Sequence, residues 1–230
     1  MSKVGIVPDL HCPALQENFL DWMFDMFYYW DVDRIVCIGD LIDNHALSFH
    51  KKEPGLTDIM VEREKTQMQL QQLFELCDEG LWDVDWLIGN HDCLHQRWAK
   101  EVGIPVDMLR DYKAIWQVPE AWKIHPRFHQ LVIDDIIYQH GDASPGGKFP
   151  ALAAAGVEFK KVVQGHFHAA FGVQYASNRH DLIWGMQVGC GTDWKHPAMN
   201  YGIKYARKPI LGCGVVIDGE PHVIPFPHGD

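Results

Sequence analysis

The 230-residue chain is short of positive charge. It has 20 Lys and Arg against 31 Asp and Glu, a formal charge of −11. Broad, sequence-blind nucleic-acid binding needs a positive surface, so nucleic acid is not the favoured partner. Carboxylates that hold cations soften that point; two bound divalent ions would bring the total to about −7. Paired cysteines are also lacking. Cys12, Cys37, Cys77, Cys93, Cys190 and Cys213 include no C-x-x-C pair. That excludes zinc-knuckle and dithiol redox patterns and suits a reducing compartment. No apolar run approaches ~18 residues, so no membrane span is expected. Val4 to Val7 is too short for the apolar region of a secretory signal, and Asp9 follows at once. These absences set the expectation of a cytoplasmic protein with no membrane partner. Without a linker, repeat or low-complexity segment, residues 1–230 are expected to form a single domain. Nothing in the chain sets an oligomeric state.

What is present is an ordinary globular composition, 47% hydrophobic and 22% charged, in a chain long enough to bury a sizeable core. "KVGIVPD" opens it as a short strand. A helix is expected over Ala14 to Tyr29, with Pro13 beside its first turn and an apolar face from Leu15 to Phe27. "DRIVCIGD" reads as a strand buried on both faces. Thr57 to Glu79 reads as a long helix, capped by Thr57 or Asp58 and ended by Gly80. "VDWLIGNHD" is a further strand, and a shorter helix covers Leu94 to Val102. Beyond Trp122, two strands flank Asp134-Asp135, "PALAAAG" is a short helix ended by Gly156, and "KKVVQGHFH" is another strand. Two hairpins complete the chain, the second turning at Asp218-Gly219. The class is α/β, with helices outside two packed sheets.

Five of the apolar strands end in short polar clusters: Asp9/His11, Asp40/Asp43, Asn90/His91, His140 and His166/His168. In α/β sheets the ligand crevice lies beyond the carboxyl ends of the strands, so clusters at five such ends can converge. Two histidines one residue apart, taken alone, are most simply one ring facing the core and one facing solvent. With three further histidines and three aspartates at comparable ends, a metal site becomes the stronger reading.

The ordered set "DLH" (9–11), "GDLID" (39–43), "GNHD" (89–92), "HGD" (140–142) and "GHFH" (165–168) resembles the calcineurin-like metallophosphoesterase family. The resemblance covers the chain from Asp9 to His168. It implies a four-layer α-β-β-α fold of two packed mixed sheets. It implies two divalent metal ions, one held by Asp9, His11, Asp40 and His168, the other by Asp40, Asn90, His140 and His166, with Asp40 bridging. Such a pair, about 3.5–4 Å apart, clamps the attacking and leaving oxygens of a phosphate ester. A hydroxide bridging the two ions would be the nucleophile. His91 is then the group that steadies the phosphoryl charge and protonates the leaving oxygen. Asp43 accepts a hydrogen bond from His91 and favours its charged form. Manganese is the expected metal, while iron, zinc and nickel suit the same mixed N/O ligands.

Departures from the family's protein phosphatases narrow the class. Those carry Arg-Gly after the second aspartate and Glu after Asn-His. Here Asn44-His45 and Asp92 stand instead. Loss of a bidentate arginine clamp weakens the hold on a monoester dianion more than on a diester monoanion. The expected activity is hydrolysis of phosphodiesters or small nucleotide-type esters. A nuclease of the same superfamily and a non-catalytic metal-binding scaffold are the alternatives. Intact ligand positions count against the scaffold, and compact length with acidic charge counts against the nuclease. His45, His50 and His95 are expected in solvated positions, Arg97 as an exposed helix charge, and Cys12 as packing. The loop from Gly189 to Gly202 either rims the crevice, with Trp194, His196 and Tyr201 stacking on a base or ring, or forms a hydrophobic latch over a sheet edge.

Overall fold

The computed structural model describes residues 1–49, 51–202 and 206–227, with residues 201 and 202 described by backbone alone. His50, His228 and the side chain of Tyr201 therefore lie outside the described residues. The chain runs β1 (Lys3–Val7), α1 (Phe19–Tyr29), β2 (Arg34–Cys37), α2 (Ile59–Glu79), β3 (Asp83–Leu87), α3 (Leu94–Glu101) and α4 (Tyr112–Trp116). It continues through β4 (Lys123–His125), β5 (Leu131–Ile133), β6 (Ile136–Gln139), α5 (Pro150–Glu158) and β7 (Lys161–Gln164). It ends with β8 (Phe171–Ser177), β9 (Leu182–Val188), β10 (Gly212–Ile217) and β11 (Glu220–Pro225).

The strands form two mixed sheets. The first has the order β11-β10-β1-β2-β3-β4, with β1 to β4 parallel and the β10–β11 hairpin antiparallel on one edge. The second has the order β5-β6-β7-β9-β8, with β6, β7 and β9 parallel. Strand periodicity sorts their side chains into layers. Val4, Ile6, Val36 and Ile38 of the first sheet meet Tyr138, Val163, Trp184 and Met186 of the second in a shared core. On the other face of the first sheet, Ile35, Cys37, Val84 and Trp86 pack against Phe24 and Phe27 of α1 and Leu70 and Phe74 of α2. On the outer face of the second, Ala154 and Ala155 of α5 cover Ile137 and Val162. The architecture is the four-layer α-β-β-α sandwich expected from the sequence. The six cysteines are all buried and unpaired.

Two expectations need correction. The first helix begins at Phe19, not Ala14. The backbone of 14–16 is engaged elsewhere: Leu15 pairs with Thr192, and Gln16 N donates to Gly191 O at 2.9 Å. Gly156 does not end α5, which continues to Glu158 and is capped by Phe159 in the left-handed region. Nothing lies close to Gly156 that would force a break there. Two elements were not foreseen, α4 and the three-residue strand β4. The long helix α2 follows expectation: Asp58 caps it, accepting from Met60 N and Val61 N at 2.9 and 3.2 Å.

Candidate metal centre

The polar clusters all sit where parallel strands of the two sheets terminate. Asp9 and His11 follow β1, Asp40 and Asp43 follow β2, and Asn90 and His91 follow β3. His140 follows β6, and His166 and His168 follow β7. Stacking the sheets face to face brings these ends together.

Two groups of donors result. In one, His168 Nε2 lies 3.0 Å from Asp9 Oδ2 and 3.2 Å from His11 Nε2. In the other, His140 Nε2 lies 3.2 Å from Asp40 Oδ2 and 3.1 Å from Asn90 Oδ1, and His166 completes the group with Asp40 and His140. Asp40 Oδ2 is also 3.8 Å from His11 Nε2, so this one carboxylate reaches toward both groups. The donors fit divalent cations on three counts. They are mixed imidazole nitrogen and carboxylate or amide oxygen. Each three-residue group can place its ligand atoms within 4.8 Å of one another. Asp9 Oδ1 is buried, and no donor among the described residues reaches it. A buried carboxylate oxygen without a donor is costly unless a cation takes it up.

Close approach at two glycines makes the site possible. A Cβ on Gly89 would lie 2.2 Å from Asp40 Oδ1, and one on Gly165 would lie 2.2 Å from Asp9 Oδ1. Only a residue without a side chain lets the loops after β3 and β7 pass over these carboxylates. Beneath the second loop runs a buried amide ladder, one rung per strand. Gln139 donates to Gln164 (3.1 Å), Gln164 to Gln187 (3.2 Å), and Gln187 to the carbonyl of Gly165. The pairing register of β6, β7 and β9 aligns the three amides. The ladder fixes the turn that carries His166 and His168.

Asp43 does more than the sequence implies. Its Oδ1 is 3.2 Å from His91 Nδ1, but it is closer, 2.8 Å, to His11 Nδ1. His91 Nδ1 makes its shorter contact, 2.8 Å, with the Asp43 carbonyl. Asp43 thus holds both rings, turning His11 Nε2 toward Asp9 and His168 and leaving His91 Nε2 for the cavity. Burial opposes ionisation of Asp43, yet the hydrogen bonds from His11 and His91 outweigh it and hold the carboxyl below the usual range. Burial likewise opposes the His91 imidazolium. The Asp40 charge and the Asp43 bond overcome it and push the ring up to about 10. Asp92 ties the loops after β2 and β3 together, accepting Ile42 N at 3.0 Å and Gly89 N at 2.9 Å. Arg127, which carries no motif, grips Asp142 through Nε and a second nitrogen at 2.7 and 2.6 Å and steadies the loop after His140.

His11, Asp40, Asn90, His91, His166 and His168 line one cavity of about 260 Å³. Trp194 and Met199 of the 189–202 loop close one side of it. The same loop is also tied to the segment after β1, an interior strand rather than a sheet edge: Asp193 N donates to Ala14 O at 2.7 Å, and Gly191 N to Asp9 O at 2.8 Å. His196 lines a separate cavity with His45 and Glu62. His45 is not a solvated loop residue. It is buried, and its Nε2 accepts Glu53 N at 2.9 Å. His95 is likewise half-buried, against Tyr112. Arg97 does not line the cavity and lies over the Phe49 ring, 4.8 Å from its centroid.

No family model matches the chain, and no curated protein matches it in sequence. Solved structures do resemble it. YfcE, a phosphoesterase from E. coli, is 13% identical with a TM-score of 0.44, over 94% of this chain and 88% of that one. Vacuolar protein sorting 29 from Cryptosporidium parvum is 15% identical with a TM-score of 0.44, over 97% and 95%. Nuclease MPE from Pseudomonas putida is 12% identical with a TM-score of 0.39, over 97% and 86%. These are likenesses of chain course alone, and the chemistry of the site rests on its own side chains.

Proposed function

We propose that this chain is a dinuclear metallophosphoesterase of the calcineurin-like type, acting on phosphodiesters in preference to monoesters. The observation that carries the reading is the convergence of donors from five strand ends on Asp40, with His91 beside them in one cavity. Asp9, His11, Asp40 and His168 would hold one cation and Asp40, Asn90, His140 and His166 the other. Two such cations supply positive charge to the phosphoryl oxygens and a means of activating water.

The chain's own groups divide the remaining work. Asp43 orients His11 through Nδ1, the carboxylate–histidine support common behind metal ligands. His91, with Nδ1 committed to Asp43, addresses the substrate through Nε2 and gives a proton to the leaving oxygen. Among the described residues, no arginine stands among the metal-side donors, and Arg207 lines the cavity beyond them; a metal side without a bidentate clamp favours a diester monoanion over a monoester dianion. Manganese is the expected metal.

The test is turnover by metal-stripped protein reloaded with Mn²⁺, on bis-p-nitrophenyl phosphate and p-nitrophenyl phosphate side by side. The expected result is faster turnover of the diester. No turnover of either by protein holding two metals would overturn the hydrolytic reading, and preference for the monoester would overturn the diester assignment.

A further inference from the structure

The cavity has a second set of walls that the hydrolytic chemistry does not use. Beyond the metal-ligand side its lining includes Trp194, Arg207, Lys208 and Pro209. Asp40 is the only acid among the lining residues described, in a chain of net charge −11. A cationic rim here runs against the average of the surface.

The rim is built onto the site by backbone hydrogen bonds. Ile210 N donates to His168 O at 2.9 Å, and Cys190 N donates to Ile210 O at 3.0 Å. The segment holding Arg207 and Lys208 is thus registered against His168 on one side and the Trp194 loop on the other. Thr192 Oγ1, two residues before Trp194, lies 3.3 Å from Asp9 O and 3.4 Å from Leu10 O. Trp194 is 38% exposed, so part of its ring is open to a ligand. Lys195 Nζ and Lys208 Nζ each lie 5.7 Å from its centroid. An aromatic plate edged by cations offers a base a stacking surface and offers its attached phosphate a counter-charge.

Resting on the phosphodiesterase reading, we infer that Trp194, Arg207 and Lys208 form a subsite for the base and second phosphate of a nucleotide phosphodiester. Two cations need only one or two phosphates, so the acidic balance of the whole chain does not oppose this. A simple diester fills the metal side alone. A dinucleotide with a terminal phosphate fills both.

The experiment compares kcat/KM of the metal-loaded protein on 5′-phosphorylated dithymidylate (pdTpdT), its unphosphorylated form (dTpdT) and bis-p-nitrophenyl phosphate. Wild type is expected to favour pdTpdT over dTpdT by about 10-fold, the scale of one charge-assisted contact. Arg207→Gln with Lys208→Gln should erase that preference. Trp194→Leu should lower the ratio of pdTpdT to bis-p-nitrophenyl phosphate by about 10-fold. Arg207→Lys should restore part of what Arg207→Gln loses.

Binding of pdTpdT, followed by calorimetry in the metal-loaded His91→Ala protein, reads the subsite without turnover. Weakening of that binding by the rim substitutions supports the subsite even where no substrate is hydrolysed, an outcome that sinks only the hydrolytic reading. Equal kcat/KM on all three substrates, or rim variants that leave the ratios and the binding unmoved, overturns the subsite. Among supporting results, turnover of octathymidylate at or above that of pdTpdT assigns the subsite to a nucleic-acid strand. Turnover of pdTpdT but not of octathymidylate assigns it to free dinucleotides.

Discussion

His91 and Asp43 adjoin the same donors but act through different atoms, and substitution separates them. His91 touches the cavity and belongs to neither proposed ligand set. His91→Ala should lower kcat by about 10²–10⁴-fold, the usual worth of a positioned general acid. Its metal content, read by elemental analysis, should stay at two per chain. Asp43 also sits behind His11, 2.8 Å from Nδ1. Asp43→Asn should therefore weaken metal binding by about 10–100-fold, the range for groups supporting a ligand. Competition with a chromogenic chelator reads this directly. Equal metal affinity in both variants would return Asp43 to orienting His91 alone. The sequence shows which residues gather, because each follows a strand. It does not show that Asp43 serves His11, since that depends on two side-chain rotamers 32 residues apart.

At the scale of elements, what the sequence made legible follows length and periodicity. The long helix α2 carries its own cap and stop, and the hairpin turns at Asp134-Asp135 and Asp218-Gly219 carry positive φ at residues suited to it. The strand β4 has three residues and α4 has five, too few to complete a pattern. The start of α1 is not legible in the sequence because residues 14–16 pair with a loop some 175 positions away, which no local pattern records. The amide ladder is another tertiary product, and Gln187 is its rung nearest the histidine turn. Gln187→Leu should cost about 1–3 kcal/mol in urea denaturation, by stranding the Gly165 carbonyl in the interior.

Glu62, in the first turn of α2, clamps the turn at His45–Leu47, accepting His45 N at 2.5 Å and Ala46 N at 2.8 Å. Burial, joined by the Asp43 charge, outweighs those bonds and raises its carboxyl from 4.5 to about 7. The folded state then holds this proton more tightly than the unfolded state. The contribution is full below pH 4.5 and is lost as pH rises through about 7. The stability difference between wild type and Glu62→Gln should accordingly decline across that window. A difference flat with pH would mean that Glu62 is ionised in both states.

At the scale of the whole molecule, the donors are divided between the sheets. Asp9, His11, Asp40 and Asn90 follow strands of the first, while His140, His166 and His168 follow strands of the second. Each proposed cation would therefore join the two sheets at their carboxyl ends, where the apolar core between them stops. Without a counter-charge the same edge gathers Asp9 and Asp40, both buried. Binding to the folded state alone stabilises it by about 2.7 kcal/mol at 100 times Kd. For a chain of this length each kcal/mol moves Tm by about 2–4 °C, so one such site should contribute roughly 5–10 °C. Chelation should lower Tm by at least that much, and Mn²⁺ in excess should restore it. Asp40→Asn should blunt the response more than Asp9→Asn, because Asp40 reaches both donor groups. A Tm indifferent to chelator and to added metal would mean that the strand ends are held by their histidine–carboxylate contacts alone, and the dinuclear centre would fall with it.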